Sequence, residues 1–149
     1  MGILKAHRIP PQRIELELTE SVVMEDPQNS ISKLNTLRAH GVQLSIDDFG
    51  TGYSSFNYLK NLPINILKID RSFIKDIEQS SRDLALVESI VGIAHVLDLK
   101  VVAEGVETEA SHELLRDIDC DTAQGYLYST PVSAKDFQEQ FVPSSSKLA

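Results

Sequence analysis

Nine residues with side chains suited to chemistry stand at or just beyond the ends of short apolar runs. They are Glu17 and Glu20, Asp47 and Asp48, Lys68 and Asp70, Glu104 and Glu107, and Gln124. Carboxylates crowded together disfavour one another's ionisation unless cations intervene. Oxygen ligands without histidine suit Mg²⁺, Mn²⁺ or Ca²⁺ better than Zn²⁺. The histidines His7, His40, His95 and His112 lie at no ligand-like spacing and read as ordinary surface or helix residues. The adjacent pair Asp47-Asp48 could serve two metals, with one carboxylate bridging. Two metals flanking a phosphodiester orient a water and stabilise the leaving oxygen. Lys68 beside them could position or deprotonate that water, or bind a phosphate oxygen.

Each residue alone has an ordinary explanation. Glu17 and Glu20 could be solvated edge charges, Lys68 an exposed strand end, and Gln124 a partner for backbone groups. Asp47-Asp48-Phe-Gly-Thr-Gly could be a strand-to-helix turn, with Asp as cap and glycines supplying unusual φ. Glu104 to Glu107 could be a second turn leading into a Thr108 cap. Tyr126 and Tyr128 are expected to pack around the last strand, and Cys120 to act as a small buried hydrophobe. Joint recurrence at successive strand ends is what turns these residues into a candidate site.

The elements that must position them alternate. Apolar runs Ile14–Thr19, Val42–Ile46, Ile64–Ile69, Leu99–Ala103 and Thr122–Leu127 read as strands. Ile31, Leu34 and Leu37 share a helical face, opened by Asp26-Pro27 and closed by Gly41. A longer helix follows Ser81, with Leu84, Val87, Val91, Ala94 and Leu97 on its core face. Thr108 and Ser133 are candidate N-caps for two more, running to about Ile118 and Phe141. Strand–helix alternation predicts parallel βα units in an α/β fold. The polar strand ends recur at intervals of 20 to 36 residues, which suits a (β/α)₈ barrel spending about 31 residues per unit. The active face of that fold is the rim at the C-terminal strand ends.

A chain of 149 residues reads as one domain. Its formal charge of −8 argues against nonspecific nucleic-acid binding. Hydrophobic and charged fractions of 42% and 24% are globular values. The lone Cys120 fits a reducing compartment. The longest uncharged apolar-leaning run, Ser89 to Leu97, is far short of a membrane span. The opening residues do not resemble a signal peptide. These features lead to the expectation of a cytoplasmic chain with no membrane segment.

Five stretches resemble the motifs of the EAL-domain family, in family order. They are Glu17-Leu-Thr-Glu20, Asp47-Asp-Phe-Gly-Thr-Gly-Tyr-Ser-Ser55, Lys68-Ile-Asp-Arg-Ser-Phe-Ile74, Val102-Ala-Glu-Gly-Val-Glu107 and Gln124-Gly-Tyr-Leu-Tyr-Ser129. The resemblance covers Ile14 to Pro131. It implies a bacterial phosphodiesterase that linearises cyclic di-GMP to pGpG with two Mg²⁺ or Mn²⁺ ions in a modified TIM barrel. By that likeness, Glu17 holds the first metal, Asp47 bridges, and Asp48 and Glu104 complete the second metal's protein ligands. Lys68 holds or activates the attacking water and Gln124 helps hold it. Asp70 supports Lys68 from behind, Glu20 anchors the loop Phe49 to Ser55, and Glu107 steadies the rim. Lys68, Glu104 and Gln124 are thus the implied catalytic residues.

The family's naming Glu-Ala-Leu motif, its following Leu-Arg and the metal-binding Asn of the next strand have no counterpart in this sequence. Five units at about 31 residues come to about 155, whereas eight need about 250. The expectation is a truncated barrel of about five βα units over residues 1–142, with a flexible tail over 143–149. The opening Met-Gly and the closing Ser-Ser-Ser-Lys-Leu-Ala read equally as native or as cloning residues. The expected function is the C-terminal portion of a cyclic di-GMP phosphodiesterase, inactive by itself. The alternative is a degenerate, non-catalytic module acting as a cyclic di-GMP receptor or protein-interaction domain. An open five-stranded barrel exposes two edges, near Ile14 and Tyr126. It is also expected to leave Leu44, Ile46, Ile66, Leu67, Val101 and Val102 without facing partners. A homodimer or higher oligomer is expected to cover these surfaces.

Overall fold

Five parallel strands form one sheet in which each strand pairs with its neighbours in sequence, in the order β1-β2-β3-β4-β5. They are β1 (Glu15–Thr19), β2 (Gln43–Phe49), β3 (Ile66–Ile69), β4 (Lys100–Glu104) and β5 (Thr122–Gln124). The structure is a computed structural model, and it describes residues 2–50 and 59–142. The helices are α1 (Gly2–Ala6), α2 (Glu20–Glu25), α3 (Pro27–Ala39), α4 (Arg71–Ile74), α5 (Ser81–Val96), α6 (Glu109–Asp117) and α7 (Ala134–Phe141). Residues 51–58, which include most of the expected loop Phe49 to Ser55, and the tail 143–149 lie outside the described residues.

Side-chain alternation along paired strands splits the sheet into two chemically different faces. In register, Glu17 faces Ser45, Ser45 faces Ile66, Lys68 faces Val102, and Glu104 faces Gln124. This face is polar. The opposite face carries Leu18, Leu44, Ile46, Leu67, Ile69, Val101 and Ala103, and from Leu44 onward these are fully buried. Here α3 packs on β2 and α5 on β4. The α5 core stripe is Val87, Ile90, Val91 and Ala94, the i, i+3, i+4, i+7 spacing of one helical face. The expected caps form: Asp26 accepts from Asn29 N–H, Thr108 from Ser111 N–H, and Ser133 from Asp136 N–H. Ser80, one residue before the expected start, caps α5 through Asp83 N–H.

This division corrects the expectation that six apolar strand residues lose their facing partners. Leu44, Ile46, Leu67 and Val101 are sealed beneath helices, and of the six only Ile66 and Val102 lie half-exposed on the polar face. The reason is parity: a one-residue difference along a strand exchanges core face for open face. The charges of β1 are explained by the same rule, since Glu15 and Glu17 point to the polar side at a sheet edge.

Two strand ends differ from their expected positions. β2 runs on to Phe49 through a bulge, because Ile46 pairs with Leu67 while Phe49 pairs with Ile69. β5 stops at Gln124, where a Cβ on Gly125 would lie 2.0 Å from the Val106 carbonyl oxygen. Val106 N–H donates to Gln124 O, and Leu127 N–H donates back to Val106 O. That close approach fastens the ends of β4 and β5 together. Tyr126 and Tyr128, expected in packing, are exposed instead, at 65% and 48%. Beyond the end of β5 the chain turns, and Tyr128 is tied by its hydroxyl, 2.8 Å from His112 Nδ1.

Candidate metal centre

In a regular strand, consecutive residues such as Asp47 and Asp48 point to opposite faces. The β2 bulge removes that conflict. Asp48 takes φ +53°, a left-handed conformation that Asp tolerates better than most residues. The extra residue resets the alternation, so Phe49 returns to the core, 4% exposed. One carboxylate oxygen each from Asp47, Asp48 and Glu104 then lie within 4.8 Å of one another.

Lys68 sits among these acids and is only 5% exposed. Its Nζ lies 2.6 Å from Glu104 Oε1, 2.8 Å from Glu17 Oε1 and 3.1 Å from Asp47 Oδ1. Burial acts to lower the ammonium's pKa, but the carboxylates of Glu104, Glu17 and Asp47 beside it outweigh that and hold it well above the ordinary lysine range. Lys68 is therefore a fixed positive charge with three acidic partners. Asp47 Oδ1 is sealed from solvent and receives no hydrogen bond of good geometry, so Lys68 compensates it by charge alone.

The remaining expected residues surround this centre. Glu17, in the middle of β1, reaches it through Lys68, with its side chain 51% exposed. Glu20 is the first residue of α2 and half-buried, and part of the loop it is expected to anchor lies outside the described residues. Asp70 caps α4, accepting from Ser72 N–H at 3.0 Å. The Ser72 side chain, opposed by burial and aided by the Ser72 and Arg71 backbone amides and the Arg71 charge, pulls its carboxyl below the usual range. Gln124 lies beside Glu104 in the β4–β5 register. Asp48, Asp70, Glu104, Glu107 and Gln124 line one cleft of about 320 Å³.

Two residues of this region were not singled out from the sequence. Ser45, wholly buried two positions before Asp47 on the polar face, has a hydroxyl with no hydrogen-bond partner among the described residues. Strand parity with Asp47 was the signal that could have found it. Arg71 lines the cleft, and its place beside the Lys68-Ile-Asp70 strand end was the available clue.

The donor set can be tested against a cation. All three clustered groups are carboxylates, Asp47 presents a buried oxygen lacking a hydrogen bond, and the spacing lets one ion touch all three. This fits a hard divalent cation with oxygen ligands.

The structure thus presents a parallel βα sheet with an acidic, lysine-centred rim toward its C-terminal strand ends. The EAL domain family is matched across residues 2–131, and the chain belongs to it. The bifunctional diguanylate cyclase/cyclic di-GMP phosphodiesterase MucR of Pseudomonas aeruginosa is 49% identical over 132 residues, 89% of this chain and 19% of that protein. The cyclic di-GMP phosphodiesterase NbdA of the same organism is 50% identical over 126 residues, 85% of this chain and 16% of that protein. Among solved structures, the MucR phosphodiesterase in complex with c-di-GMP superposes with TM-score 0.85 at 48% identity, over 91% of this chain and 55% of that one. The EAL domain of Mycobacterium smegmatis DcpA gives 0.87 at 43% identity, over 93% and 62%. The chain thus spans about a fifth of the curated relatives' length. Among the described residues no helix is long and apolar enough to cross a membrane.

Proposed function

We propose that these residues form the C-terminal part of a two-metal site that hydrolyses cyclic di-GMP to pGpG. The observation that carries the reading is the convergence of Asp47, Asp48 and Glu104 within 4.8 Å, beside a buried Lys68 that also holds Glu17. Asp47, Asp48 and Glu104 would hold one Mg²⁺ or Mn²⁺, and Glu17 with Asp47 would contribute to a second. A divalent cation there supplies Lewis-acid stabilisation of phosphodiester oxygens and acidifies a water. Lys68 donates hydrogen bonds and positive charge to the attacking side, and its raised pKa favours this positioning role over that of a base. Gln124 adds an amide beside Glu104. A related protein supports a divalent cation and cyclic di-GMP as the ligands: Klebsiella pneumoniae BlrP1, 35% identical, is known in calcium and manganese complexes with cyclic di-GMP.

For the 149 residues alone we propose metal-dependent binding of cyclic di-GMP with little hydrolysis. Glu17 and Asp47 are the two carboxylates available to the second ion, and Lys68 already engages both. That same observation favours the second reading, a cyclic di-GMP receptor. We further propose a cytoplasmic setting and self-association through the exposed apolar residues by the β5 edge, Phe137 and Phe141 among them.

The test is chromatographic detection of pGpG after incubation with cyclic di-GMP and Mn²⁺, with calorimetric binding in Ca²⁺ alongside. Binding in Ca²⁺ without pGpG supports the proposal for the isolated chain. Turnover of about 1 s⁻¹ or more, abolished by Asp47→Asn, would show that the chain alone suffices for catalysis. Absence of metal-dependent binding would contradict both readings.

A further inference from the structure

Four carboxylates line the cleft beside the candidate metal site, from Asp48, Asp70, Glu104 and Glu107. Any phosphate entering it meets like charge. Among the described residues the one cation lining that cleft is Arg71. Its guanidinium forms no ion pair within 4 Å with any described residue, although Lys68 nearby makes three. An arginine among carboxylates would ordinarily close a bidentate pair. Here the backbone holds it back. Asp70 is committed to capping α4 through Ser72 N–H. The Arg71 stem is pinned against Gly105, where a Cβ would lie 2.4 Å from Arg71 Cβ and where φ is +72°. Gly105 follows Glu104 directly, so the base of the Arg71 side chain lies against the loop that carries a candidate metal ligand.

We propose that Arg71 is a substrate-binding residue whose guanidinium takes a phosphate group of the guanine dinucleotide. The inference rests on the phosphodiesterase reading and adds to it a counter-charge that the metal-ligand set lacks. The planar fork matches two phosphate oxygens, whereas lysine offers a point charge without that geometry. As an exposed residue without an ion pair, Arg71 contributes little to stability, so its substitution leaves the fold intact.

The experiment is calorimetric titration of the whole chain with cyclic di-GMP and with pGpG in Ca²⁺, at several NaCl concentrations. Unsubstituted protein, Arg71→Ala and Arg71→Lys are compared, with a separate Mn²⁺ titration of each. Arg71→Ala is expected to weaken nucleotide binding about tenfold or more, to lower its salt dependence, and to leave Mn²⁺ affinity unchanged. Arg71→Lys should recover part of the loss. A loss confined to pGpG assigns the contact to its terminal phosphate, and a loss with both ligands to a diester phosphate; each supports the inference. Equal affinity in Arg71→Ala would overturn it while leaving the phosphodiesterase reading standing. An equal loss with unchanged salt dependence would also overturn it, by assigning the contact to a neutral base edge. Failure of the unsubstituted chain to bind either nucleotide while it binds Mn²⁺ would instead sink the reading on which the inference rests.

Discussion

Lys68 Nζ and Glu104 Oε1 meet at 2.6 Å across the β3–β4 pair, the shortest ion pair among the described residues. Lys68 is paired in register with Val102, so Glu104 lies two residues further along the same face, at the rim. The contact joins two strand ends that each bring chemistry, and it gives the acidic rim its counter-charge.

Replacing Lys68 by methionine should therefore remove that charge and leave Glu17, Asp47 and Glu104 facing one another. Breaking a buried charge cluster by deleting one partner costs about 3 kcal/mol, discounted somewhat by the exposure of Glu17. Thermal unfolding at pH 7 should show a lower Tm for Lys68→Met, and added Mn²⁺ should raise it more than it raises the parent's. Equal Tm values without metal would mean that the three contacts carry no net stability.

Asp48 separates backbone geometry from ligand chemistry. Its φ of +53° is one that glycine adopts freely. Asp48→Gly should keep the bulge and stay within about 1 kcal/mol of the parent in stability. Its Mn²⁺ affinity should fall about tenfold or more. Calorimetry combined with denaturant unfolding checks both halves; undiminished affinity would remove Asp48 from the ligand set.

The Asp70 cap has a pH signature. Its carboxyl is held below the usual range chiefly by a hydrogen bond from the Ser72 side chain, with the Ser72 and Arg71 backbone amides adding to it. A carboxyl with a depressed folded-state pKa stabilises fully above its unfolded value and loses that contribution as pH falls through the folded one. Asp70→Ala should cost about 1 kcal/mol at pH 7, and the gap between the two proteins should close below about pH 4. A gap that persists at low pH would point to packing rather than capping.

The rim was legible in the sequence because four apolar runs give way to acids, at Glu20, Asp47, Asp70 and Glu104, although β2 runs on to Phe49 and β5 stops early at Gln124. The helices were legible through their caps: Asp26, Thr108 and Ser133 each accept the bond that their type and position predict. What escaped was set by parity and backbone geometry. Leu44 and Leu67 have the same side-chain type whichever face they take, and only register with Glu17 and Lys68 puts them under the helices. The bulge at Asp48 depends on a backbone angle that no residue type dictates. Tyr126 reads as core by composition, yet it lies exposed past the turn that Gly125 makes against Val106. Arg71 escaped because its meaning lies in the ion pairs it does not make.

The central claim is that the strand ends hold a divalent cation through Asp47, Asp48 and Glu104, with Glu17 secondary. Calorimetric titration of the chain with Mn²⁺ tests it most directly. The expected result is one saturable site, lost in Asp47→Asn, weakened about tenfold or more in Glu104→Gln, and little changed in Glu17→Gln. Binding abolished by Glu17→Gln but unaffected by Glu104→Gln, or no saturable binding at all, would contradict it.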